Sequence, residues 1–340
     1  MNSFATAADF TLALSSLCGP NQKAAEAASA RQALLTKPAG SLGRLEEVAI
    51  FLAGWQGLTV PSLNRTVALV FAGNHGVTAH GVSAFPPVVT IEMVRNFERG
   101  GAAINALTAA AGMNLKVIPL ELDNPTRDFT VEAAMSEDEC LSALNAGATL
   151  VESNIDLLAL GEMGIGNSTA AAALCLRSYG GIAADWVGPG TGIDAAGIER
   201  KTRVVEAGIA LHAAAPIDPF ETLRRVGGRE IAAIAGAVVR ARSLRIPVVL
   251  DGFISCSAVA PLAAAFPAIV DHCIAGHLST ELGHSRLLDR LGLTPLLSLG
   301  MRLGEASGAA VAMSVIRAAV AAHASMATFA EAGVSEGKST

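Results

Sequence analysis

The residues able to do chemistry sit in glycine-rich stretches, each following a short apolar run. Near the end of the chain, Leu299-Gly300-Met301-Arg302-Leu303-Gly304-Glu305-Ala306-Ser307-Gly308 sets one carboxylate, Glu305, against the small-residue start of a helix that is otherwise uncharged until Arg317. Burial in such apolar company raises a carboxyl pKa toward neutrality and suits the group to act as a general base. A first-turn glutamate held by the helix dipole alone has the same pattern.

A second stretch, Gly161-Glu162-Met163-Gly164-Ile165-Gly166-Asn167-Ser168-Thr169, leads from an apolar run into an alanine-rich helix. That layout offers backbone N–H groups and a helix N-terminus to a phosphate. No lysine precedes the Ser-Thr pair, and Thr169 stands where a dinucleotide fingerprint has its third glycine. Triphosphate hydrolysis and dinucleotide binding are therefore disfavoured. A monophosphate or ribose-phosphate cradle remains, with Gly164, Gly166 and Asn167 in the loop and Glu162 placed to accept from sugar hydroxyls; a turn used for close packing is the competing reading. Gly188-Pro189-Gly190-Thr191-Gly192-Ile193-Asp194 opens another helix, with Lys201, one of only five lysines, two turns in. A lysine there either neutralises a phosphate as a point charge or is a solvated surface group.

Three further loops carry weaker signals. Gly73 and Gly76 flank Asn74-His75, so two polar side chains come to a sharp turn. Residues 81–87 include Ser83, Phe85, Pro86 and Pro87, a stiff segment able to wall a flat aromatic ligand. Asp251 ends an apolar run and either orients a ribose or caps the helix that follows. His272, His277 and His284 lie close in sequence, but no spacing among them matches a helical zinc pair and no cysteine cluster supports them. No metal and no cofactor are expected.

These loops need a scaffold. Apolar runs at 66–71, 115–120, 155–160, 246–250 and 268–274 alternate with alanine-rich helical stretches. Strands that are apolar throughout and separated by helices indicate a parallel sheet covered on both faces. The fold expected is an open, doubly wound α/β sheet, whose ligands bind beyond the carboxyl ends of the strands. Residues 1–60 read as helices, with Ser41 placed to cap the stretch containing Leu42, Leu45, Val48 and Trp55. Ser136 with Glu139, and Asp218 before Pro219, mark further helix starts. After residue 305 one long helix is expected, then a polar tail at 335–340. This divides the chain into a helical region at 1–60, an α/β ligand-binding domain at 61–304 and a C-terminal helical region at 305–340, the two ends contributing to a small helical domain.

With 340 residues, 51% of them hydrophobic, and a mean hydropathy of +0.47, the chain is apolar, but aromatics make up only 4%. The uncharged run between Asp251 and Asp271 has the length of a membrane span, yet Ser255, Ser257, Pro261 and Pro267 interrupt it. The first residues lack a basic segment ahead of an apolar one, so no Sec-type signal peptide is expected. Five scattered cysteines fit reduced thiols in the cytoplasm. A net charge of −6 without a basic run argues against nucleic acid and for small-molecule partners.

Taken together, KPAGSLGRLE (37–46), GNHGVTAHGVSAFP (73–86), GGAAIN (100–105), GEMGIGNST (161–169), VGPGTGID (187–194), DGFIS (251–255) and LGMRLGEASGAA (299–310) resemble the nicotinate-nucleotide–dimethylbenzimidazole phosphoribosyltransferases of cobalamin lower-ligand assembly. The resemblance runs in order over nearly the whole chain. It implies a Rossmann-like parallel sheet with a small helical domain, a homodimer, and transfer of the phosphoribosyl group of nicotinate mononucleotide to 5,6-dimethylbenzimidazole. It implies Glu305 as general base, Glu162 in the same pocket, and the two glycine loops with Lys201 around the phosphoribosyl part. Ser83, Phe85, Leu303 and His75 are the further substrate-side candidates. Asn74 stands where many relatives have Asp, and Pro87 where some have Gln, so the accepted base is the least defined feature. The implied chemistry agrees with the residues: nicotinate leaves a pyridinium as a neutral ring, which needs neither a metal nor a general acid. Other readings are a different N-glycosyl or phosphoribosyl transfer, a nucleotide-sensing module that binds without turnover, and a membrane transporter.

Overall fold

Five parallel strands form one sheet in the order β2-β1-β3-β4-β5: β1 (Thr66–Ala72), β2 (Asn114–Pro119), β3 (Leu157–Met163), β4 (Val248–Leu250) and β5 (Cys273–Ala275). The computed structural model describes residues 3–335; residues 336–340 of the polar tail, Lys338 among them, lie outside the described residues. The open α/β fold with a parallel sheet is as the sequence indicates. Two strands differ in detail. β3 runs on through Glu162 and Met163, so Glu162 is a strand residue, not a loop residue. The apolar run 268–274 is split: Pro267–Val270 form a 3₁₀ turn, and pairing begins only at Cys273.

Helices cover both faces because the strand side chains alternate between two cores. Val67, Leu69, Phe71, Leu158, Leu160, Val248 and Leu250 point into one. That core is closed by α1 (Ala7–Ser15), α6 (Glu137–Thr149), α7 (Asn167–Tyr179), α8 (Ala195–Leu211), α9 (Pro219–Val226), α10 (Arg229–Ser243), α11 (Phe253–Ala265) and α12 (Leu282–Leu291). Ala68, Val70, Leu157, Ala159, Val249 and Ile274 point into the other, under α3 (Arg44–Gln56), α4 (Val88–Glu98), α5 (Ala103–Ala111) and α13 (Ser307–Ser325). α2 (Gln22–Leu34) packs on α3, and α14 (Phe329–Ala332) follows a single bridge between Leu35 and Thr328. The edge strand β2 is half exposed, with Lys116 among its solvent-facing residues, and is the exception to fully apolar strands.

Local signals decided most helix ends. Ser136 and Glu139 close a reciprocal capping box at α6, and Asp218 caps α9 with Pro219 in its first turn. Ser41 does not cap α3. Residues 38–43 instead make successive turns, Ser41 N–H to Pro38 O and Gly43 N–H to Gly40 O, so the helix starts at Arg44 with no side-chain cap. α13 has the length and composition of a membrane span, but it packs on the sheet between α3 and α5 and is half buried there. Of the uncharged run between Asp251 and Asp271, Phe253–Ala265 alone is α-helical, and it is buried against α7 and α10.

Candidate active site

β1 sends its chain to β2 on one side and β3 stands on its other side, so the strand order switches direction between β1 and β3. Such a switch opens a crevice at the carboxyl ends of the two strands. A cleft lies beside it, beyond the carboxyl ends of β3, β4 and β5, and encloses about 630 Å³ including its mouth. Glu162, Gly164, Asn167, Gly190 and Leu303 of the expected residues form its wall, joined by Ser168, Arg302 and Gly304.

The turn before α13 is the most distorted backbone at the site. Gly304, Glu305 and Ala306 take φ of +83°, +62° and +61° in succession. Two adjacent non-glycine residues in the left-handed region store strain that the surrounding structure must impose. Here the constraint is visible: Glu305 N–H donates to Glu162 O at 3.0 Å, tying the turn to the end of β3. Gly161 makes the approach possible, since a Cβ there would lie 2.1 Å from Ala306 N. A Cβ on Gly304 would likewise lie 2.7 Å from Glu162 Oε1.

Glu305 lies directly behind the wall formed by Leu303 and Gly304 and is 4% exposed. Its Oε2 has no protein partner, and burial pushes its pKa up to about 7. Glu162 is held well above the usual carboxylate range by burial first, then by the charges of Asp251, Glu230 and Glu305, against the opposing hydrogen bond from Asn167. Its Oε2 accepts from Asn167 Nδ2. Asp251 is raised to about 7 by burial, opposed by backbone N–H groups at the start of α13 and reinforced by the Glu305 charge. Its Oδ1 accepts from Ala309 N–H at 2.9 Å. Asp251 therefore caps α13, which lacks a cap of its own, rather than the helix after it, and it is absent from the cleft wall.

Lys201 is fully buried, not a surface lysine. Its ammonium donates to Ser168 Oγ at 2.8 Å and Gly188 O at 3.1 Å, directly behind the backbone of Gly190. Burial lowers its pKa to about 8, with the nearby Glu281 carboxylate opposing the fall. The two glycine loops and one cation thus converge on a single edge of the cleft. Gly166 turns with φ +95° against Thr78 and His75, and Gly192 is exposed at the rim. His75 is buried, its Nε2 2.6 Å from Glu230 Oε1, and does not reach the wall. Ser83 and Phe85 also lie off the wall; Phe85 is 49% exposed, while Thr90, at the start of α4, accepts from Ile165 N–H and anchors that loop beside the cleft.

Several site residues escaped the sequence reading. Ser279 and Glu281 form a wall after β5 together with His277, which the sequence had offered only as a metal ligand. They sit at a strand's carboxyl end, so correct placement of β5 would have singled them out. Glycines pack both sides of the His277 ring, at Gly252 and Gly308; neither ring nitrogen makes a protein hydrogen bond, and Nδ1 lies 3.7 Å from Asp251 Oδ1. Burial keeps this imidazole below its ordinary range and hence neutral at pH 7. Glu230, on α10, carries no local signal at all.

The family profile described as phosphoribosyltransferase matches residues 18–334. The nicotinate-nucleotide–dimethylbenzimidazole phosphoribosyltransferase of Novosphingobium aromaticivorans is 66% identical over 337 residues, covering 99% of this chain and 100% of that protein. The chain belongs to this phosphoribosyltransferase family. The enzyme of the same name from Rhizobium etli is 54% identical over 96% of both chains. The crystal structure of CobT from Thermus thermophilus superposes with a TM-score of 0.86 at 41% identity, over 93% of this chain and 100% of that one. The protein is accordingly a phosphoribosyltransferase, a pentosyl-transferring enzyme.

Proposed function

We propose that the enzyme transfers the phosphoribosyl group of nicotinate mononucleotide to 5,6-dimethylbenzimidazole, forming α-ribazole 5′-phosphate and nicotinate in cobalamin lower-ligand assembly. The observation that carries this reading is Glu305: a nearly buried carboxyl with a pKa of about 7, an unpartnered oxygen and a strained turn behind the cleft wall. One benzimidazole nitrogen attacks C1′ while the C1′–pyridinium bond breaks, and its electrons return to the nicotinate ring, which leaves neutral. The second benzimidazole nitrogen loses its proton to Glu305, a transfer that contributes roughly 10²–10⁴-fold. A β-linked donor and an α-linked product require a single in-line displacement with inversion. Holding the two flat rings on opposite faces of C1′ supplies much of the remaining acceleration.

The phosphate sits against Gly164, Gly166, Asn167, Gly190 and Gly192, with Lys201 and Ser168 beneath. Glu162 acts on the ribose as a hydrogen-bond donor, since burial and the surrounding carboxylates favour its protonated form; acceptance from sugar hydroxyls, the expectation from sequence, fits a charged carboxylate instead. Leu303 and the loop carrying Ser83 and Phe85 cover the base, with His75 and Asp251 supporting from behind. The division at residues 60 and 304, a cytoplasmic location and a homodimer without nucleic-acid or membrane partners complete the proposal. Size-exclusion chromatography with light scattering tests the dimer.

The deciding experiment incubates the enzyme with nicotinate mononucleotide and dimethylbenzimidazole, without added metal, and follows α-ribazole phosphate. Failure to form it refutes the substrate assignment. A parallel panel of benzimidazoles, phenols and purines defines the accepted base.

A further inference from the structure

Behind the cleft, at the switch between β1 and β3, lies a carboxylate that the reaction above does not use. Glu230 stands in the first turn of α10, is 0% exposed, and meets His75 Nε2 at 2.6 Å through its Oε1. Its Oε2 has no protein hydrogen-bond partner. Three glycines from three separate segments leave the space that this pair fills. A Cβ on Gly73 would lie 2.3 Å from Glu230 Oε2, and one on Gly228 would lie 2.2 Å from His75 Cε1. A Cβ on Gly164 would lie 3.1 Å from Glu230 Oε1 and 3.2 Å from Asn167 Nδ2. That last contact links the pair to the cleft, because Asn167 Nδ2 is the donor to Glu162 Oε2. The buried Glu230–His75 pair thus faces the back of the Asn167–Glu162 unit.

We propose that Glu230, clamped by His75, is a positioning residue that works through Glu162, keeping the Glu162 carboxyl a hydrogen-bond donor toward the substrate. A carboxylate near a second carboxyl disfavours ionisation of the second, and the Glu230 charge is among those that raise Glu162. The groups facing Glu162 are Asp251 from β4, Glu230 from α10, Glu305 from the turn before α13 and Asn167 from α7. Asp251 is occupied with capping α13, and Glu305 cycles its charge during turnover. Glu230 is held by the buried His75 ring and has no part in the reaction itself. It does not contribute to the raised pKa of Glu305, whose cause is burial. Replacing Glu230 should therefore leave the Glu305 titration in place.

The test is the pH profile of kcat/KM for Glu230→Gln and Glu230→Asp, beside the unaltered enzyme. In Glu230→Gln the alkaline limb, where Glu162 ionises, moves toward lower pH by about one unit, while the acid limb set by Glu305 stays in place. Glu230→Asp, which keeps the charge, restores the alkaline limb. A uniform loss of rate with both limbs unmoved, an unchanged profile, or an equal displacement by both substitutions overturns the proposal. Infrared spectroscopy of the unliganded enzyme gives a readout independent of turnover and of the assigned substrates, on which the kinetic arm rests. Protonated-carboxyl absorption near neutral pH is expected, with Glu305 and Asp251 contributing part of it and a further component that is lost in Glu162→Gln. Absence of that Glu162-dependent component overturns the proposal even where Glu230→Gln fails to fold.

Discussion

Glu305 combines two costs that a structure does not carry without a use for them. Its left-handed backbone, with that of Ala306, costs about 1 kcal/mol per residue, and its carboxyl is buried with an oxygen unpartnered. Glu305→Gln should lower kcat by roughly 10²–10⁴-fold in the transfer assay; full activity would remove Glu305 from the mechanism. The same variant should melt at higher temperature than the unaltered enzyme above pH 7, where the native carboxyl is charged, and at a similar temperature near pH 4.5, where it is neutral. Lys201 offers a cleaner split between substrates. Lys201→Met keeps the buried stem and removes the cation, so the KM for nicotinate mononucleotide should rise by about tenfold, ~1.4 kcal/mol, with that for dimethylbenzimidazole unchanged. An equal rise in both would show that the lysine supports the cleft generally. The charge of Glu305 in an uncharged run was legible in sequence. Its backbone conformation was not, because nothing in Gly-Glu-Ala-Ser demands a positive φ at the glutamate; the bond to Glu162 O imposes it.

At the scale of elements, the site depends on how closely β3 passes under the start of α13. Gly161→Ala would drive a Cβ to 2.1 Å from Ala306 N and 2.5 Å from Ala306 Cα. Such overpacking costs roughly 1–3 kcal/mol, and here it also pulls the Glu305 turn from β3, so stability and rate should fall together in thermal melts and assays. Gly19→Ala is the control: its Cβ meets nothing within 4 Å, and a change within about 0.5 kcal/mol is expected. Elements set by local chemistry were readable. The Ser136–Glu139 box and Asp218-Pro219 specify α6 and α9 within four residues of chain. Elements set by neighbours were not. The extent of β5 depends on pairing with β4, which offers only Val248–Leu250, and the start of α3 depends on the turns at 38–43.

Across the whole molecule, two sets of buried groups pull stability in opposite directions with pH. His272 and His284 are depressed to about 3 by burial, so their contribution is lost as pH falls below their ordinary 6.5. Glu305 and Asp251 are raised to about 7, so theirs is present at low pH and lost as pH rises through 7. Above about pH 7 the histidines are largely neutral in both states and the acids decide. The unliganded enzyme should therefore lose stability between about pH 7 and 8, until the depressed Lys201, at about 8, begins to act oppositely. Each pKa unit is worth about 1.4 kcal/mol, and denaturant titrations across this window should show Glu305→Gln with the shallower slope. A stability that climbs over the same window would mean that these carboxyls ionise at ordinary values.

The sequence by itself determined what local periodicity and short-range chemistry can express: five strands, a parallel sheet clothed on both faces, glycine loops at strand ends, and Glu305 as an isolated charge among small residues. It also carried the ordered motifs that mark the family. Only the tertiary structure decided that Glu162 belongs to β3, that Asp251 caps a helix starting 56 residues later in the chain, and that Lys201 is buried beneath Ser168. It alone brought His277, Glu281 and Glu230 to the cleft or behind it. The physical reason is common to all of these. A buried charge is defined by what surrounds it, and at the switch point of a parallel sheet those surroundings come from segments far apart along the chain.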